Sequence, residues 1–154
     1  MNKTFYCFIS IFGLIFACSP AKNHQNDSVV PLSQYQCLAT QSHCNIETKQ
    51  GVFSVTFDRK NIKAEAPFKL LVSYKGTLQL KQVTGFMEGK TMFMGKIPLF
   101  FSQENKSHYI AETMVVACTE PSMVWRMWFT ADLYDNDMQT EVKQGFFIDF
   151  SSEY

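Results

Sequence analysis

The sequence has no excess of charge of either sign: 14 Lys and Arg are balanced by 14 Asp and Glu. A nucleic-acid-binding domain carries a clear basic surplus, so nucleic acid is excluded as a partner. Histidine is scarce, at three residues. A blue-copper centre needs two histidines beside a cysteine, and no histidine lies between or just after Cys118 and Met123. The chain also lacks C-x-x-C and H-x-x-x-H spacings, which argues against structural zinc. Equally missing are G-x-S-x-G, H-E-x-x-H, a Gly-rich phosphate loop and G-x-G-x-x-G, so no motif names a reaction. No apolar run reaches the about 20 residues of a membrane-spanning helix. Beyond the first residues no sustained i, i+3, i+4 apolar pattern marks a helix. Internal repeats and low-complexity tracts are absent too.

What is present begins with Lys3 and an apolar run from Phe5 to Phe16, ending in Ala17-Cys18-Ser19-Pro20. A short positive region before a short apolar one is the pattern of an export signal. Ile-Phe-Ala-Cys resembles the lipobox of bacterial lipoproteins, which implies cleavage after Ala17 and lipidation of Cys18. Ser19, where an Asp would retain the protein at the inner membrane, implies the outer membrane of the cell envelope, facing the periplasm. The rival reading is an ordinary signal peptide cut near Ala21. Several acyl chains hold a protein firmly, since each buried methylene adds about 0.8 kcal/mol. The membrane is therefore the expected partner, reached through a lipid anchor. The expected division is a signal peptide over 1–17, a lipidated cysteine and tether over 18–36, and one domain over 37–154. The tether is polar and aperiodic and is expected to be flexible, with His24 solvated.

From Cys37 onward the chain reads as short alternating runs. Phe53, Val55 and Phe57 share one parity, as do Phe68, Leu70, Val72 and Tyr74. Leu78 and Leu80 follow a turn at Gly76. Met92 and Met94 are read as one face of a further strand, before Ile97 to Phe101. Gln103 to Ser107 reads as a polar turn, and Ile110, Met114, Val116 and Cys118 as one strand face. Met123, Trp125, Met127, Phe129 and Ala131 line a long strand, and Phe146, Ile148 and Phe150 the last one. Period-2 runs broken by turns about every dozen residues predict an all-β fold. The size suits an immunoglobulin-like antiparallel β-sandwich of seven to eight strands, with a small closed barrel as runner-up. Asp135-Asn136-Asp137 reads as a solvated hairpin turn, since a calcium loop needs more carboxylates at fixed spacing.

Cys37, Cys44 and Cys118 remain once Cys7 and Cys18 are assigned to the signal and the anchor. In an oxidising compartment three thiols allow one disulfide and one leftover. Cys37 with Cys44 closes a small loop and is the first choice; a bridge from either to Cys118 is the alternative. The chemical candidate follows from sulfur. Thioether and thiolate are soft ligands that select Cu(I), and Met92, Met94, Cys118 and Met123 are the candidate metal set, with Trp125 as a shield. The competing reading makes these methionines fillers of an aromatic core. No catalytic residue is assigned and an enzyme is not expected; the competing enzymatic reading is an activated Cys118 thiol.

C-x6-C at Cys37 and Cys44, Pro67-Phe68-Lys69-Leu70, M-x-M-G from Met92 to Gly95, and C-x4-M-x-W at Cys118, Met123 and Trp125 together resemble a family of small exported proteobacterial proteins. Several members of that family are lipoproteins. The chain is more distantly similar to FixH-like and YtkA-like β-sandwiches associated with copper handling and haem-copper oxidase assembly. The resemblance implies a sandwich with a metal or redox role. Ile97-Pro98 stands where the distant family has Met-Pro. The expected function is thus a lipid-anchored, non-enzymatic envelope protein holding Cu(I), and the alternative is a metal-free interaction module.

Overall fold

A computed structural model describes residues 42–117 and 119–154. The signal segment, Cys18, the tether with His24, Cys37 and Cys118 lie outside the described residues. Ten strands follow in order: β1 (His43–Thr48), β2 (Gly51–Phe57), β3 (Ile62–Lys63), β4 (Phe68–Lys75), β5 (Gln79–Gly89), β6 (Lys96–Leu99), β7 (Ser102–Asn105), β8 (His108–Thr113), β9 (Ser122–Asp135) and β10 (Thr140–Glu153). They form two five-stranded sheets, β1-β2-β4-β8-β7 and β3-β10-β9-β5-β6. All pairs are antiparallel except the short β3 beside β10.

The expected all-β sandwich is what the chain forms. The orders β2-β4-β8-β7 and β10-β9-β5 reproduce the A-B-E-D and G-F-C sheets of immunoglobulin-like connectivity. Seven strands have six or more residues. The other three span two to four residues, too few for an alternating pattern to register in sequence. Among the described residues no helix is long and apolar enough to cross a membrane.

Alternation builds the core directly. On β9 every second residue from Met123 to Leu133 is buried, and β10 buries Phe146, Ile148 and Phe150 on the same inner face. Phe53 lies between Tyr74 and Phe146 at centroid distances of 4.8 and 4.6 Å, and Phe129 stacks on Phe146 at 4.9 Å. Near the other end of the core, Phe57, Phe68 and Phe150 meet at 5.4–5.9 Å. Each such ring, fully buried, contributes about 1.5–3 kcal/mol. Trp125 is buried among them, its indole N–H donating to Ser152 Oγ at 3.0 Å.

Three local expectations are corrected. Met92 and Met94 lie in the loop between β5 and β6, not on a strand, because pairing to β9 ends as Lys90 N donates to Val124 O. Gly95, at φ 73°, turns that loop back into β6. On β8 the buried parity is Tyr109 and Ala111, continued by Val115, so Ile110, Met114 and Val116 face away from the core. Tyr109 sets this parity by reaching across the sandwich, its hydroxyl donating to the Lys81 carbonyl. The polar stretch read as one turn is strand β7 followed by a tight turn at Lys106-Ser107.

Candidate functional site

The two sheets align so that the sandwich has two distinct poles. One carries the turns 49–50, 76–78 and 136–139. The other collects the β5–β6 loop, the segment from Met114 to Pro121, and the C-terminus. The second pole holds the candidate sulfur residues.

Met123 is the second residue of β9, 6% exposed, and points inward. Met92 is 41% exposed at the loop surface. Gly89, the last residue of β5, joins them: a Cβ there would overlap both the Met92 carbonyl oxygen and Met123 Cε. Only glycine lets the loop and the β9 thioether close over that strand end. Met92 also lines an open groove with Ala117, Thr119, Glu120, Pro121 and Tyr154. Met123 lines an adjoining recess that shares Glu120 and Tyr154 and adds Ala64, Val116, Ser152 and Glu153. The residues on either side of Cys118 thus border the groove that Met92 borders. Met94 is half-buried against the core.

Hydrogen bonds fix the frame of this pole. Glu65 N donates to Val115 O at 2.8 Å, Ala64 N to Glu153 O at 2.8 Å, and Tyr154 N to Pro121 O at 3.1 Å. The loop carrying Met92 is tied from outside the sandwich by its first residue. Lys90 Nζ lies 2.7 Å from Asp149 Oδ2, and Arg126 reaches the same carboxylate through Nε at 2.7 Å and Nη2 at 2.9 Å. Burial alone would push the Asp149 carboxyl up; the hydrogen bonds from Arg126 and Lys90 outweigh that and hold it below the usual range. Arg126 also lies 4.0 Å above the Phe147 ring. The outer face of this sheet carries a charged row, Asp149, Arg126, Glu88 and Lys96 in register. Beside it runs an apolar row of Phe147, Trp128, Phe86 and Pro98.

Other candidates fall elsewhere. Met87 and Met127 are buried core residues, as the core-filling reading expects of methionine. Met138 is exposed in the β9–β10 turn, where Asp135 Oδ1 accepts from the Asp137 and Met138 amides. His43 bonds Thr56, and His108 bonds Asn105 and Ser107. Among the described residues no three His, Cys, Asp or Glu gather as a metal site. Cys44 is buried on β1 and disulfide-bonded, to a partner outside the described residues. The sequence alone does not mark Gly89, Lys90 and Asp149 as parts of a site. Their one available signal was an aspartate in the apolar run Phe146 to Phe150, where an unpaired charge is costly.

No family model matches this chain, and no curated protein does. A crystal structure of a DUF4785 family protein from Legionella pneumophila is similar over 66% of this chain, with a TM-score of 0.54 and 10% identity. This chain spans 28% of that protein's length. At such identity the likeness is one of fold.

Proposed function

We propose that this chain is a lipid-anchored, non-enzymatic β-sandwich of the cell envelope that holds Cu(I) at its sulfur-bearing pole. In this reading Met92, Met123 and Cys118 are the principal donors, and Met94 a reserve donor that must rotate from the core. Cys18 carries the lipid at the outer membrane, facing the periplasm, and Cys37 pairs with Cys44, leaving the Cys118 thiol for metal. The observation that carries the reading is the closure of the Met92 backbone and the Met123 methyl over Gly89, beside the groove that Met92, Ala117 and Thr119 border. Met92 is more exposed than a core filler need be, and thioethers on a surface loop suit a site that accepts and releases a soft ion.

The test is competition of the reduced protein against a chromophoric Cu(I) chelator, comparing wild type with Met92→Leu and Met123→Leu. Leucine keeps the apolar volume and removes sulfur. Loss of one donor is expected to weaken binding at least about tenfold, corresponding to about 1.4 kcal/mol. Equal affinity in all three proteins would sink the site as drawn.

A second reading is a metal-free envelope interaction module. The exposed Phe93, Met114, Val116 and Tyr154 at the same pole favour it. It predicts no Cu(I) uptake by any of the three proteins.

A further inference from the structure

The pole that carries the groove is also the pole where the chain enters the domain. Phe57 N, at the end of β2, donates to Ser42 O at 3.0 Å, so residue 42 sits beside the ends of β2 and β4. The same end of the sandwich receives the end of β8, the β5–β6 loop and the start of β9.

Exposed apolar side chains are distributed unevenly between the poles. Seven large hydrophobic residues are exposed among the described residues, and five of them, Met92, Phe93, Met114, Val116 and Tyr154, belong to this end. Phe93 is 86% exposed. The opposite pole is turned by Lys49-Gln50, Lys75-Gly76-Thr77, Lys106-Ser107 and Asp135-Asn136-Asp137, with Met138 its one exposed large hydrophobe, and the seventh, Phe100, follows Leu99 at mid-sheet between the poles. A soluble domain with no preferred orientation gives no reason for that asymmetry.

We infer that the entry pole rests on the phospholipid surface, with Phe93 and Met92 dipping into its interfacial layer. The inference rests on the reading of Cys18 as the lipid anchor. The expected tether from Cys18 to Cys37 advances 19 residues, and a flexible polar chain of that length would have an r.m.s. span of about 24 Å, with the proposed Cys37–Cys44 pairing holding its far end at β1. The 14-residue strand β9 runs the length of the sandwich, about 43 Å at 3.3 Å per residue. The anchor therefore holds the entry pole nearer the bilayer than its opposite. An aromatic side chain raised on a loop toward a bilayer partitions into the headgroup and acyl boundary. The groove beside Met92 then opens at the membrane surface.

The test reconstitutes the full mature lipoprotein in vesicles of phosphatidylethanolamine and phosphatidylglycerol, with and without acyl-chain-brominated lipid. Wild type, Phe93→Trp and Met138→Trp are compared; both substituted positions are exposed, so the fold tolerates the change. Flotation with the vesicles reports the anchor, and bromine quenching reports which pole faces the lipid. Phe93→Trp is expected to lose a larger fraction of its emission than wild type, with its added emission shifted to the blue. Met138→Trp is expected to be quenched no more than wild type. Equal quenching of the two variants, in protein that floats, overturns the orientation and leaves the anchor standing. Protein that does not float overturns the anchor and this inference with it.

Discussion

Replacing Asp149 by Asn perturbs the most heavily engaged carboxylate of the outer sheet face. Asp149 is fully buried and accepts three charge-assisted hydrogen bonds of 2.7–2.9 Å from Arg126 and Lys90. The amide keeps the shape but turns one acceptor into a donor facing donors, and leaves two cations without a counter-charge. Removing one partner of a buried ion pair costs about 3–5 kcal/mol. Arg126 and Lys90 keep 22% and 32% of their side chains exposed, so water recovers part of that loss. A destabilisation of about 2–3 kcal/mol is expected after that discount. In a domain of this size it lowers Tm by about 10 °C. The pH dependence has a definite sign. The folded-state pKa lies below the unfolded value of about 3.9. The stabilisation is therefore complete above the unfolded pKa and lost as pH falls through the folded one. Urea unfolding of wild type and Asp149→Asn at about pH 7 should show the full gap, and at about pH 2.5 a much narrower one. A variant within about 0.5 kcal/mol of wild type at neutral pH, or a gap that does not change with acid, would refute the reasoning.

Gly89→Ala forces the Met92 backbone and the Met123 methyl apart. Overpacking of this kind costs about 1–3 kcal/mol, and the reduced protein should bind Cu(I) more weakly; unchanged affinity would separate Gly89 from the site. Met127→Ala empties a fully buried position and should cost about 2–5 kcal/mol. Met92→Ala, on the exposed loop, should stay within about 0.5 kcal/mol of wild type; urea titration of both checks the contrast, and a large loss at Met92 would return it to the core-filling reading. Non-reducing mass spectrometry of the mature protein should show a lipidated Cys18, a Cys37–Cys44 disulfide and a free Cys118 thiol. A Cys44–Cys118 bridge would remove the thiolate from the proposed metal set.

Wherever a strand is long and one of its faces is buried, its sequence reveals it. The inward residues of β9 and those of β10 from Phe146 to Phe150 can be read off a period of two, since each of these inner positions is apolar and the outer ones mostly are not. The short strands β3, β6 and β7 are opaque for the opposite reason: two to four residues hold too little pattern to separate strand from loop. Met92-Phe93-Met94 misleads because spacing alone cannot report whether a neighbouring strand continues to pair, and here pairing ends just after Gly89. On β8 both parities carry apolar residues, so composition does not choose the buried face; packing of Tyr109 does. Of the candidate site, Met123 as an inward β9 residue was legible from alternation. Its meeting with the Met92 loop was not, because it depends on strand register and on a glycine whose role is to be absent. The tie from Lys90 and Arg126 to Asp149 spans 59 and 23 residues of chain, and no local pattern announces it.

X-ray absorption at the copper edge of the Cu(I)-loaded full-length protein tests the central claim most directly. The account predicts a Cu(I) centre ligated by sulfur alone, with one sulfur scatterer lost in Met123→Leu. A protein that retains no copper after desalting, or a centre whose scatterers are nitrogen and oxygen, would contradict it.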